Sequence, residues 1–261
     1  MSHLLDYKGK AVLVTGGARG VGKGIAEAFL DSGANVAICG RNAPDALPRS
    51  GGKEAKFFSA DVRDPAQCDS LIDAVVSQFG RIDVLVNNAG GAPFADAATA
   101  SPRFSEKVVA LNMLSALYCA QPANRVMQQQ DSGGSIINIS SVSGVRPSPG
   151  TAAYGAAKAG LINLSQTLAI EWAPKVRVNA ISAGMIQTEQ AHLHYGNEDG
   201  IARVAATVPL GRLGLPRDIG NACLFLGGEM AAYVSGANLV VHGAGERPAF
   251  LDAANASHKK D

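Results

Sequence analysis

The sequence predicts an α/β fold: one doubly wound parallel sheet of about seven strands, with helices on both faces, in a single domain. Two observations predict it. Short apolar runs of strand length alternate with longer stretches of helical periodicity, the pattern of parallel strands buried on both faces. The segments between these runs are long enough to cross back over the sheet, and right-handed crossovers place helices on both sides.

Each element follows from local signals. Ala11-Val12-Leu13-Val14 is a short apolar run ending in Thr15-Gly16-Gly17, which reads as a buried strand. Residues 22–32 read as a helix, with Ile25, Ala26, Phe29 and Leu30 on one face and Gly33 as its stop. Residues 35–39 form a second strand. Residues 42–53 hold two prolines and two glycines and read as a loop, at most with a remnant of helix. Residues 55–59 are a third strand, followed by Asp61-Val62, and residues 65–79 a helix. Residues 82–86 are a fourth strand, ending at Asn87-Asn88-Ala89-Gly90. A long helix around 103–128 precedes a strand at 135–139. A helix at about 154–172 precedes a sixth strand at 176–180. Residues 185–207 are polar and mixed, with no clear strand. Residues 216–226 read as a helix and 238–241 as the last strand.

Composition bounds the function. The chain has 261 residues, 47% of them hydrophobic, enough for a substantial core. Its formal net charge is +1, so neither nucleic acid nor a membrane surface is expected as a partner. The pair Lys259-Lys260 reads as a solvated end. The N-terminus lacks the apolar stretch of a signal peptide, and no apolar run approaches the ~20 residues of a membrane helix. The four cysteines (Cys39, Cys68, Cys119, Cys223) are scattered and read as small buried apolar residues. A cytoplasmic protein is expected. Residues 1–245 form the domain, residues 185–210 its substrate lid, and residues 246–261 a tail ordered by a partner subunit.

Thr15-Gly16-Gly17-Ala18-Arg19-Gly20-Val21-Gly22 lies between the first strand and the first helix. That context suits phosphate binding at a helix N-terminus. Gly16 permits a tight turn, Gly20 backbone approach to a pyrophosphate, and Gly22 close packing of helix and strand. The second strand ends in Cys39-Gly40-Arg41-Asn42, with no carboxylate to bond the ribose hydroxyl of NAD. Arg41, joined by Arg19, suits a 2′-phosphate instead. NADP(H) is therefore favoured over NAD(H).

Tyr154 and Lys158 are four residues apart, on one helical face. An ammonium beside a phenol favours the phenolate and is expected to lower its pKa. Such a tyrosine exchanges protons with an alcohol or ketone.

With these residues in place, the chain resembles the short-chain dehydrogenase/reductase family from Gly9-Lys10 to about Gly245. The resemblance rests on the T-G-x-x-x-G-x-G loop, Asp61-Val62, Asn87-Asn88-Ala89-Gly90, Asn112, Ser141, Tyr154 and Lys158. Its ketoacyl reductase and hydroxysteroid dehydrogenase branches are the most similar. The resemblance implies a Rossmann fold and a catalytic set of Asn112, Ser141, Tyr154 and Lys158. Tyr154 is then the general acid/base, and Lys158 lowers its pKa and bonds the nicotinamide ribose. Ser141 bonds the substrate oxygen, with Ser143 as a second contact, and Asn112 holds a water linking Lys158 to solvent. Gly16, Arg19, Gly20, Val21, Gly22, Arg41, Asp61, Val62, Asn88, Ala89, Gly90, Ile186 and Thr188 meet the cofactor, together with Tyr154 and Lys158. Structural rivals stay open: Asn112 as a buried amide, Asp61 as a helix cap, Asn87 as a tie between strands. Ala183 stands where the family has proline, and its loss is expected to loosen the following loop.

His192 and His194 flank Leu193 in the lid, and no metal site is expected. His242 reads as structural. The implied substrate is a bulky, largely apolar ketone or secondary alcohol: alicyclic, steroid-like or a 3-oxoacyl thioester. The family implies a homotetramer built on the 103–128 and 154–172 helices. Three other readings stay open: a dinucleotide-binding sensor or scaffold, an NAD(H)-dependent dehydrogenase, and an epimerase or dehydratase with retained nicotinamide.

Overall fold

The computed structural model describes residues 5–250. Strand β1 (Ala11–Thr15) is buried along its whole length. Val12 and Val14 face one layer with Ile25 and Phe29, while Leu13 faces the other with Leu71 and Met127. This is the period-two alternation of a strand covered on both sides. The first layer is built by α1 (Gly20–Asp31) and α8 (Pro216–Gly227), the second by α2 (Pro65–Phe79), α4 (Ser115–Gln129) and α5 (Ala152–Glu171).

The remaining strands are β2 (Asn35–Gly40), the short pair β3 (Arg49–Ser50) and β4 (Lys53–Glu54), β5 (Lys56–Ser59), β6 (Val84–Asn87), β7 (Gly134–Ser141), β8 (Val176–Ala183) and β9 (Asn238–Val241). Six of them join β1 in one seven-stranded parallel sheet in the order β5-β2-β1-β6-β7-β8-β9. The strand order reverses between β1 and β6. A crevice therefore opens beyond their carboxyl ends, where ligands of such sheets bind.

Three expectations needed correction, and one segment gained detail. The 42–53 loop contains the β3–β4 hairpin. Gly51 and Gly52 both take positive φ, +58° and +73°, as a tight two-residue hairpin turn requires. The long 103–128 helix is α3 (Pro102–Val109), one wide turn of π-helix (Ala110–Leu114), then α4. The mixed 185–207 segment holds α6 (His192–Tyr195) and α7 (Glu198–Thr207), the latter capped by the Asn197 side chain on Gly200 N. Ala183 does not loosen the chain: β8 runs through it, in register with Ser141 on one side and Val241 on the other. Alanine keeps the N–H that proline would remove from a ladder. Beyond it, Gly214 N donates to Met185 O at 2.9 Å and Gln187 N to Gly214 O at 2.8 Å.

All four cysteines are buried, as expected. They are less scattered than their spacing implies, because Cys68 Sγ on α2 lies 3.5 Å from Cys119 Sγ on α4. No helix among the described residues is long and apolar enough to cross a membrane. Glu246 to Phe250 of the expected tail are described, and residues 251–261, with Lys259 and Lys260, lie outside the described residues.

Candidate active site

The glycine loop and the end of β6 are clamped together. Thr15 Oγ1 accepts from the backbone N–H groups of Asn88 and Ala89, each at 3.0 Å. Asn88 Nδ2 donates to Thr15 O at 3.0 Å and Gly16 O at 3.3 Å. This brings Asn88, Ala89 and Gly90 beside the start of α1. Gly22 has no room for a side chain: a Cβ there would lie 2.3 Å from Gly16 O and 2.4 Å from Asn88 Nδ2. At Gly20 the space is open, with only the Thr188 side chain within 4 Å, its nearest atom 3.6 Å away. Arg19, the N-cap of α1, supplies no side-chain cap. A helix N-terminus without a side-chain cap from its own N-cap residue, flanked by Val21 and Thr188, fits a dinucleotide pyrophosphate.

At the tip of β2, Arg41 is exposed. Asp61 is not a helix cap, because Asp64 caps α2 through Ala66 N at 3.0 Å. Asp61 instead takes two bonds from the Arg63 guanidinium, at 2.9 and 2.5 Å, and one from the Arg63 backbone N–H at 3.1 Å. That hydrogen-bonded guanidinium holds the Asp61 carboxyl at about 2, with Arg41 adding to the effect. Val62 is buried beside it.

The three serines at the end of β7 and just beyond it separate cleanly. Ser140 Oγ donates to Lys158 O at 2.9 Å and is buried. Ser143 Oγ accepts from Ser148 Oγ at 3.1 Å. Ser141 Oγ accepts from Ser143 N at 3.1 Å and meets the Tyr154 phenol. Tyr154 and Lys158 share one face of α5, with Lys158 Nζ 5.6 Å from the Tyr154 ring centroid. Nζ donates to Ile139 O at 2.8 Å.

The electrostatics differ from the sequence expectation. Burial raises the Tyr154 pKa, and only the Ser141 hydrogen bond draws it back. Lys158, 4% exposed, is itself pushed down to about 8 by burial. Desolvation disfavours both charged forms and is the largest influence on each of the two groups.

Asn112 sits in the π-helical turn, 1% exposed. Its Oδ1 accepts from Gly91 N at 2.8 Å, and its Nδ2 donates to Gly91 O at 3.0 Å and Val108 O at 2.9 Å. The side chain thus anchors the loop after Gly90, as the structural rival reading has it. Asn87 Nδ2 donates to Ala116 O at 3.1 Å and to Asn138 Oδ1 at 2.9 Å, so it ties β6 to its neighbours through its side chain.

Sequence reasoning placed Tyr195 in the lid but missed the ion pair Arg146–Glu246. Burial raises the Tyr195 pKa, and Glu246 adds to the effect. Glu246 lies one residue past the expected domain end, where only the three-dimensional path of the chain reveals it.

Residues 16–244 match the family model described as Enoyl-(Acyl carrier protein) reductase. The chain is 36% identical over 247 residues to a 3alpha-hydroxysteroid dehydrogenase of Mediterraneibacter gnavus, covering 91% of this chain and 97% of that protein. It is 35% identical over 242 residues to the 3-oxoacyl-(acyl-carrier-protein) reductase FabG of Escherichia coli strain K12, covering 92% and 98%. Among solved structures it resembles the NADPH-dependent 3-quinuclidinone reductase of Rhodotorula rubra, with TM-score 0.83, 29% identity and 92% of each chain covered. The chain belongs to the short-chain dehydrogenase/reductase family, whose oxidoreductases act on CH–OH/C=O groups.

Proposed function

We propose that the chain transfers a hydride between NADP(H) and a bulky, largely apolar ketone or secondary alcohol, with Tyr154 as general acid/base. The observation that carries this is the convergence of Tyr154, Ser141 and Lys158 beside Asn88-Ala89-Gly90 and the N-terminus of α1. The nicotinamide supplies or accepts the hydride. Tyr154, held protonated by burial, gives its phenolic proton to the carbonyl oxygen of a ketone as that carbon is reduced. In the reverse direction the Tyr154 phenolate takes the alcohol proton and returns to the phenol. Ser141 hydrogen-bonds the same oxygen and offsets its developing charge. Lys158 binds the nicotinamide ribose, and Asn112 fixes the loop on which the cofactor rests.

Arg41 favours NADP(H), because the β2 tip offers a guanidinium and no carboxylate. Gly16, Arg19, Gly20, Val21, Gly22, Asp61, Val62, Asn88, Ala89, Gly90, Ile186 and Thr188 complete the cofactor site. Residues 185–210 form the substrate lid. Exposed Phe94, Val145 and Leu193 support an apolar substrate, and the similar hydroxysteroid and oxoacyl enzymes support an alicyclic ketone or 3-oxoacyl thioester. A groove of about 550 Å³ between α4 and α5, lined by Leu117, Leu164, Leu168 and Trp172, supports pairing with a second copy in a homotetramer. Buried free thiols suit a reducing cytoplasm.

Nicotinamide absorbance across a panel of alicyclic ketones and 3-oxoacyl thioesters tests the reading. Tyr154→Phe is expected to lose about 10²–10⁴-fold in kcat, with NADPH affinity within about twofold of wild type. Unchanged turnover in that variant removes Tyr154 from the chemistry.

A further inference from the structure

The start of α1 already holds an anion. Gly20 N donates to Glu189 Oε1 at 2.8 Å, from a residue 169 positions away in sequence. The first turn of α1 has no acidic residue of its own, and Arg19 gives no side-chain cap. A helix leaves its first backbone N–H groups without intrahelical partners and attracts negative charge there. Glu189 meets that need from outside. Its neighbour Thr188 is the side chain nearest the open space at Gly20. The carboxylate therefore stands where a pyrophosphate would take the same N–H.

We propose that Glu189 is an internal competitor of the dinucleotide, a carboxylate that caps α1 in the free protein and must leave before the pyrophosphate can bind. This rests on the cofactor reading of the glycine loop. A carboxylate and a doubly anionic pyrophosphate repel each other and cannot share one N–H donor. Displacement also reaches the lid. Glu189 O faces His192 Nδ1 at 3.1 Å, and Ala191 N donates to Thr188 O at 3.0 Å. Residues 188–192 are thus one compact turn leading into α6, and releasing the carboxylate frees the root of the lid. Glu189 sets how tightly the cofactor is held and couples its arrival to lid movement.

Fluorescence titration of the full-length protein with NADPH and NADH tests this, using wild type, Glu189→Gln, Glu189→Ala and the control Asp131→Asn. Asp131 is an exposed acid in the turn between α4 and β7 and carries the same charge outside both the lid and the glycine loop. Both Glu189 variants are expected to bind NADPH about three- to tenfold tighter than wild type, with Asp131→Asn unchanged. Equal or weaker binding by the Glu189 variants overturns the competitor. So does equal tightening by Asp131→Asn, which makes the effect one of net charge. If wild type binds neither dinucleotide, the cofactor reading itself falls and the competitor with it.

Discussion

The Ser140 hydroxyl donates to the Lys158 carbonyl at 2.9 Å, while its neighbour Ser141 turns to the Tyr154 phenol. Both serines reach α5, one bracing its backbone and the other facing the reacting groups. Ser140→Ala is expected to cost about 1 kcal/mol of stability, the net worth of one hydrogen bond. Ser141→Ala is expected to leave stability within about 0.5 kcal/mol and lower kcat by about 10²-fold. Urea unfolding and steady-state turnover on both variants check the division; matching profiles for the two would abolish it.

Lys158 gives a stability signature with a definite sign. Its folded pKa, about 8, lies below its ordinary value of 10.5. Between those values the unfolded chain holds more protons, so stability rises with pH across the window. Below pH 8 both states are protonated and the full penalty applies; above 10.5 it is gone. The stability of wild type relative to Lys158→Met is expected to rise by about 3 kcal/mol from pH 7 to 10.5. A flat difference in urea titrations would show that the buried amine is not destabilised.

Arg41 is expected to separate the two cofactors. Hydrogen bonds to charged groups are worth about 1.5–3 kcal/mol, so Arg41→Ala should weaken NADPH binding about ten- to hundredfold. NADH affinity should stay within about twofold. Calorimetric titration with both dinucleotides measures this, and parallel losses would remove Arg41 from 2′-phosphate recognition.

Gly22→Ala reverses a general trend. In most helix interiors this exchange stabilises by roughly 0.5–1 kcal/mol. Here the new Cβ meets Gly16 O at 2.3 Å and Asn88 Nδ2 at 2.4 Å. Thermal unfolding should show a loss of about 1–3 kcal/mol, the cost of overpacking, together with weaker dinucleotide binding.

The sheet was legible because its central strands are buried along most of their length and read as short, mainly apolar runs. The loop Gly16 to Gly22 and the Tyr154–Lys158 pair were legible because their geometry is local. The sequence did not show that burial raises the Tyr154 pKa, because desolvation depends on what packs around the ring. Nor did it reveal the Arg146–Glu246 pair, which joins residues a hundred positions apart. The carboxylate of Glu189 at Gly20 was hidden for the same reason. Residues 185–207 looked formless, although Asn197 followed by Glu198 and Asp199 is a helix-start signal.

The π-helical turn at Ala110–Leu114 fixes the length of the chain around it. One extra residue in a helix rotates everything beyond it by about 100°. That rotation lets α3 pack toward α5 while α4 presents its apolar side to α2. Deleting a single residue here would restore an ordinary helix and send one of the two faces into solvent. Among natural or designed variants, insertions and deletions should therefore be depleted between Pro102 and Gln129, although most of that stretch is remote from the reacting groups.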